Sequence, residues 1–368
     1  MKKIVTFLLY LTTINSFPTV ALGEAVQVGI TAPLSGDFAS YGKSILHGVE
    51  LAKEDLANRN IQIEVHAEDA CIPKDAIRAL QKLITIDKIE ILAANFCAIA
   101  IPAMRPIIER NNLVSFYTGG VPDSIANISK YIFSTNIRIK DEAFQLAEHA
   151  FQVQKAQTAA IMYISTNFGE DYNKYFSKRF IELGGSIVYR ATAPIGSHDF
   201  KAQLTKIKSK GADITLAAHL GESLGLLLKQ ARSLGIKQQF LGTYEAEDQN
   251  MLKIAQDAAE GLLFFVREPQ STNKKALEFR NKFVNRFSTE PDILSRNAYD
   301  ATLLSAQKYI LCKKESDCTV QAIQELQNYQ GVSGMISFKT SPDNTEALTL
   351  KTIYRGQFIN KESSTTSN

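Results

Sequence analysis

The chain has 368 residues, 45% of them apolar, and a formal net charge of +3. That balance excludes a strongly basic nucleic-acid binder and gives an anionic membrane nothing to attract. Length and apolar content suit two ordinary domains of roughly 100–200 residues each, with a full core in both.

The first 23 residues read as a secretory signal peptide. Lys2 and Lys3 form the basic start, residues 4–11 a short apolar run, and Ala21-Leu22-Gly23 a small-x-small cleavage site. The run is too short to cross a bilayer, and no other segment approaches ~18 consecutive apolar residues. The first cysteine is Cys71, so no lipid anchor is expected. Cleavage after Gly23 predicts a soluble periplasmic protein and removes Lys2 and Lys3, which lowers the net charge to about +1.

Residues 26–31 form an apolar run, short and β-branched, which predicts a buried strand. Pro33 to Gly42 make a loop of small residues, and Ile45, Val49, Ala52 and Leu56 then recur at helical spacing. A strand that ends in a loop opening a helix is where open α/β sheets bind small ligands, because the helix start offers free N–H groups. Gly36 and Gly42-Lys43-Ser44 nearly spell a phosphate-binding loop, but five residues separate the glycines where that motif needs four.

Strands are expected at 61–68, 89–94 and 113–117, with a helix that has Pro73 in its first turn and Ala76, Leu80, Leu83 and Ile84 on its face, and another at 103–110, between them, and this alternation implies a parallel sheet with right-handed crossovers. A second series follows. Helices at 140–153, 168–183, 200–208, 222–234 and 251–258 alternate with strands at 158–164, 186–193, 213–218, 240–243 and 262–266. Three helices, 274–287, 295–311 and 320–327, then run without intervening strands and read as a block returning to the first unit. Residues 335–338 and 348–354 look like a closing β-ribbon, and 360–368 are polar enough to predict disorder.

Four cysteines in an exported chain suggest two disulfides. Cys71 and Cys97 each fall just after a predicted strand, and Cys312 and Cys318 enclose a short charged loop, so Cys71–Cys97 and Cys312–Cys318 are the expected pairs. Zinc is the alternative for thiol clusters, but no C-x-x-C and no histidine pair at ligand spacing occurs, and no metal is assigned.

Several blocks together resemble the type I periplasmic binding proteins, in particular the leucine/isoleucine/valine-binding branch. They are the first loop, P-L-S-G-x-x-A-x-Y-G at 33–42; D-A-C-x-P-K at 69–74 with Cys97 as the cysteine's partner; F-G-E at 168–170; K-Q-A-R-x-L-G at 229–235; F-L-G at 240–242; and A-E-G-L-L at 259–263. The resemblance covers nearly all of the mature chain. It implies an α/β fold of two Rossmann-like lobes with parallel sheets, joined by a three-segment hinge that crosses near Ile137, Val266 and Met335. Lobe 1 would comprise 24–137 and 267–334, and lobe 2 would comprise 138–266 and 335–359. It also implies an extracytoplasmic binding protein of an ABC transporter. The partners would be an amino acid or similar small solute and the permease subunits, with no nucleic acid, no cofactor, and a monomeric chain.

In the resembled family, loops at strand ends hold the ligand's α-carboxylate with hydroxyls and N–H groups, a second-lobe acid takes the ammonium, and tyrosines wall the cleft. Carried onto this chain, the ligand-binding positions are Tyr41, Ala98, Thr118, Gly119, Gly120, Phe168, Leu220, Tyr244 and Glu245. Several depart from the family pattern. Ala98 stands where a carboxylate-binding serine is usual, Gly120 at the threonine position, and Phe168 for a tyrosine. Leu220 falls near a second-lobe tyrosine, and Tyr244 aligns with the acid, with Glu245 beside it. Phe168 and Leu220 read equally well as packing residues. Lost hydroxyl donors weaken a carboxylate anchor and point to an altered ligand preference.

One enzyme-like motif stands apart. Gly221-Glu222-Ser223-Leu224-Gly225 fits the G-x-S-x-G turn of hydrolases, yet none of the five histidines follows Ser223. A helix start with Ser or Glu near its cap explains the same residues. No catalytic residue is assigned, and a solute sensor on the same fold is the other alternative.

Overall fold

The computed structural model describes residues 24–338 and 348–361, so the expected signal peptide at 1–23 and most of the expected tail, 362–368, lie outside the described residues. The first unit alternates β1 (Val26–Ala32), α1 (Ala39–Ala57), β2 (Ile63–Asp69), α2 (Pro73–Thr85), β3 (Ile91–Asn95), α3 (Ile101–Arg110) and β4 (Val114–Tyr117), then adds β5 (Ile132–Ser134). All five strands are parallel, in the order β2-β1-β3-β4-β5. β1 buries all but Gln27 deeply, as a strand covered on both faces should.

A second unit follows: α4 (Ile139–Glu148), β6 (Thr158–Ile164), α5 (Asn167–Glu182), β7 (Ser186–Ala193), α6 (Lys201–Lys210), β8 (Ile214–Ala218), α7 (Gly221–Ser233), β9 (Gln239–Leu241), α8 (Gln249–Ala255) and β10 (Leu263–Val266). The helices α9 (Lys274–Phe287), α10 (Ile293–Leu311) and α11 (Ser316–Gln324) return to the first unit, where α9 and α10 pack along α1. After β11 (Tyr329–Gln330) and β12 (Met335–Ile336), the chain ends in β13 (Thr349–Tyr354) and β14 (Gln357–Asn360) on the edge of the second sheet, whose order is β14-β13-β10-β9-β8-β6-β7. The fold is thus the expected pair of parallel-sheet α/β units, and Cys71–Cys97 and Cys312–Cys318 are the disulfides.

Three local expectations are corrected. β12 pairs with β11, whereas β13 pairs antiparallel with β10 and with β14, so residues 335–338 and 348–354 do not form a ribbon with each other. Asn360, expected in the disordered tail, closes β14 opposite Lys351. The loop expected at 33–42 ends sooner: residues 39–42 already belong to α1, and the phosphate-binding loop rejected from sequence does not form at Gly42-Lys43-Ser44. A Cβ on Gly42 would sit 2.0 Å from the Pro33 carbonyl oxygen, so only glycine lets the loop fold back this closely on its helix. The Ser44 hydroxyl is bonded to Asp292, the cap of α10.

Crossings between the two sheets run side by side. Beyond β5, the Thr135 hydroxyl donates to the Asn297 carbonyl at 3.1 Å, and the Asn136 and Asn297 side-chain amides both donate to the Thr118 carbonyl at 3.2 Å. Beyond β10, Arg267 donates to the Ser333 carbonyl at 3.2 Å and to the Asn297 amide oxygen at 3.2 Å. Behind these strands lies a buried knot of charge. Arg296 of α10 meets Glu247 at 2.8 Å and Glu268 at 3.1 Å, and Lys351 of β13 reaches both carboxylates. Burial alone would raise Glu247, but Arg296 and Lys351 outweigh it and hold that carboxyl below its usual range.

Removing one partner from a buried ionic cluster leaves the others uncompensated. Glu247→Gln is therefore expected to cost about 3–5 kcal/mol in denaturant unfolding. Glu290→Gln, which removes the half-exposed Arg280–Glu290 pair, is expected to cost less than about 1 kcal/mol. Equal costs for the two variants would contradict the ranking.

Candidate functional site

Loops at the carboxyl ends of strands from both sheets face one another. From the first unit come the turn at Gly36–Phe38, the turn at Ala98–Ala100 and residues 118–122; from the second come the starts of α5 and α7 and the turn at Tyr244–Ala246. The Gly120 N–H donates to the Tyr244 hydroxyl at 2.7 Å, a buried bond between the two units. At the rims, Asp37 lies 3.7 Å from His198, the Asp123 N–H donates to Asp171 at 2.7 Å, and the Asn167 amide donates to the Ser124 hydroxyl at 3.0 Å. Lys174 pairs with Asp123 at 2.9 Å. The two units are in the closed arrangement, with their loop tips in contact.

Between the rims the surroundings are aromatic and acidic. The Tyr41 ring stands edge-on to Phe96, with centroids 5.4 Å apart, and Phe168 stands edge-on to Tyr172 at 4.9 Å and to Tyr244 at 6.2 Å. Glu142, in the first turn of α4, is wholly buried; it accepts from the Tyr172 hydroxyl and, at 2.7 Å, from the Tyr244 N–H, which fixes the Tyr244 turn. Burial pushes the Glu142 carboxyl well above its ordinary range despite those two donors. Burial likewise pushes Glu245 up to about 7, against the pull of the Tyr244 and Tyr41 phenols and with Asp248 and Asp292 adding to the rise.

Asp248 is also raised by burial to about 7. One of its oxygens caps α8 through the Asn250 N–H at 2.7 Å, and the other, Oδ2, has no hydrogen-bond partner among the described residues. The Tyr41 hydroxyl makes no well-formed hydrogen bond either. Burial, then the charges of Glu245 and Asp248, raise its pKa well above that of an ordinary phenol.

The positions inferred from sequence separate into groups. Tyr41, Gly120, Tyr244 and Glu245 are brought together, with Phe168 on the Tyr244 ring and Gly119 against Tyr117 and Phe96. Thr118 serves the crossing strands: its hydroxyl donates to the Asn95 carbonyl at 3.3 Å and its carbonyl takes the two asparagine amides. Leu220 is the half-buried cap residue of α7, packed on the core and adjacent to Gly221, which lies against Tyr41. Ala98 opens a half-buried turn after Cys97 that meets α5. Sequence reasoning missed Glu142, Tyr117, Tyr172, Asp248 and Gly221. The two acids stand in a first helical turn and at a helix cap, where carboxylates are ordinary, so the sequence carries no signal of their burial.

The G-x-S-x-G stretch starts α7, and His219 Nδ1 lies 3.1 Å from Ser223 Oγ. The imidazole is fully buried against Phe200, and its Nε2 has no partner among the described residues. Burial pushes it down to about 3, which makes it a poor acceptor for a serine proton. Among the described residues no carboxylate is bonded to Nε2 to orient the ring, so the third member of a hydrolytic triad is not found there.

Residues 25–350 match the family described as periplasmic binding protein, and the chain belongs to that family. Among curated proteins it is 25% identical over 255 residues to the Leu/Ile/Val-binding protein of Escherichia coli K12, covering 67% of this chain and 69% of that one. It is 24% identical over 239 residues to an amino acid binding protein of Pseudomonas aeruginosa, covering 63% and 64%. Among solved structures, the leucine-binding protein LivK of Thermotoga maritima superposes with a TM-score of 0.84 at 20% identity, over 92% of this chain and 98% of that one. A solute-binding protein of an ABC transporter from R. palustris, in complex with benzoate, gives 0.82 at 19% identity over 92% and 95%.

The acids of the closed site set a pH dependence. Glu245 and Asp248 keep their protons to about pH 7 in the folded protein, whereas the unfolded chain releases them near 4.5 and 3.8. The folded state therefore binds more protons between about pH 4 and pH 7, and stability is lost as pH rises through that window. Thermal unfolding at pH 5 and pH 8 should show Glu245→Gln gaining on the native protein at the higher pH. A difference that does not change with pH contradicts the assignment.

Proposed function

We propose that this chain is the exported, periplasmic solute receptor of an ABC transporter, which closes two lobes on an amino acid or related small polar solute and presents the closed form to permease subunits. It acts as a binding protein rather than an enzyme. Lobe 1 is 24–137 with 267–334, lobe 2 is 138–266 with 335–359, and residues 1–23 are the export signal. The carrying observation is the buried meeting of Tyr41 and Gly120 from one sheet with Tyr244 and Glu245 from the other. Loops at strand ends on both sides of a hinge are where a small ligand is enclosed, and closure remodels the outer surface that a partner reads. The family membership supports the same reading, as does the relatives' naming as amino-acid binders.

A thermal-shift scan over amino acids, amides, amines, short peptides and organic acids tests it. A solute that binds only the folded chain stabilises it by about 2.7 kcal/mol at a hundred times its Kd, a readily measured rise in Tm. Silence from the whole panel, in protein shown to be folded and ligand-free, would contradict the proposal.

A further inference from the structure

Three features of the closed site bear on which solute it takes. The first concerns hydrogen-bond donors. A ligand carboxylate at the loop after β4 would need N–H or hydroxyl groups, and the Gly120 N–H is already given to the Tyr244 hydroxyl at 2.7 Å. The Gly120 carbonyl is taken by the Tyr117 hydroxyl at 3.2 Å, the Thr118 hydroxyl by the Asn95 carbonyl, and Ala98 has no polar side chain. A Cβ on residue 120 would lie 2.5 Å from the Tyr244 ring, so the phenol occupies the space beside that loop and the glycine is required for it to do so.

The second feature is charge. Besides burial itself, the ionisable groups bearing on Glu245, Tyr41 and Tyr244 are carboxyls, Asp248, Asp292 and Glu245, with the neutral phenols of Tyr117 and Tyr172 beside Tyr244. Glu142 adds a further buried carboxyl, and the cation acting on Asp248 is Lys253, whose side chain is exposed. The third feature is a pair of unused oxygens. Tyr41 Oη, which faces Glu245 without a well-formed hydrogen bond, and Asp248 Oδ2, which has no partner among the described residues, stand on side chains more than nine-tenths buried and converge on Gly221; a Cβ there would lie 3.0 Å and 2.8 Å from them.

Resting on the reading of the chain as a solute receptor, we infer that its ligand is a small organic amine, or the amide of an amino acid, that carries a protonated nitrogen and no free carboxylate. The ammonium supplies the missing counter-charge to Glu245 and Asp248 and donates to Tyr41 Oη and Asp248 Oδ2. A carboxylate on the same ligand finds the Gly120 N–H and the Thr118 hydroxyl already used and lies beside Glu245 and Asp248, which are ionised when they pair with the ammonium, so zwitterionic amino acids and aromatic acids are rejected.

The test is calorimetry on the native protein with matched probes: leucine, leucinamide and isoamylamine; phenylalanine, phenylalaninamide and phenethylamine; benzoate and benzylamine. The expected result is that an amine or amide binds at least tenfold more tightly than its carboxylate counterpart. Asp248→Asn should then weaken that probe at least tenfold, and Tyr244→Phe, which frees the Gly120 N–H, should narrow the gap to the carboxylate. A carboxylate that binds as tightly as its matched amine overturns the inference and leaves the receptor reading standing. Silence from all these probes also overturns it, and silence from the broader panel as well overturns the receptor reading too.

Discussion

Carboxyl groups buried where the two lobes meet, Glu245 above all, are the constraint on which this molecule turns. Glu142, Glu245 and Asp248 are buried and Asp292 half-buried, and each is answered differently. Glu142 takes a phenol and a main-chain N–H, Asp292 takes the Ser44 hydroxyl and the Ser295 N–H, and Asp248 uses one oxygen as a helix cap. Glu245 has only neighbouring phenols and is left with a proton near neutrality. Desolvation without a counter-charge is expensive, so closure favours a proton or a cationic guest at that point.

The hinge side presents the opposite solution. Glu247 stands only two residues beyond Glu245, yet Arg296 and Lys351 meet it there and its carboxyl stays ionised. Helix α10 connects the two regimes. Its cap, Asp292, belongs to the acidic side; one turn on, Arg296 belongs to the ionic knot and Asn297 receives the crossing strands. Its burial on nearly every face explains how one element can serve both, and why the returning helices belong with the first sheet although they follow the second in sequence.

Much of the fold was legible because strand and helix periods leave local marks. The 158–164 and 186–193 strands and the 274–287 helix match the structure residue for residue. β5 escaped notice because three residues are too few to show alternation. The pairing of the last strands escaped because register partners are set by the far sheet edge, not by neighbouring sequence. At the site, the family resemblance singled out Tyr41, Gly120 and Glu245, and these side chains and loops come together in the fold. Tyr244 was legible as a position but not as the group that takes the Gly120 N–H. Glu142 and Asp248 read as ordinary helix-start acids until tertiary packing buried them.

The central claim is that two α/β units close over a guest whose positive end meets Glu245 and Asp248. The most direct measurement is the distance between spin labels at Lys53, on the exposed side of α1, and Lys206, on the exposed side of α6, with and without a solute that raises Tm. The account predicts two interconverting distances, with the solute shifting the population to the shorter one. A single distance, unchanged by a solute that demonstrably binds, would contradict it.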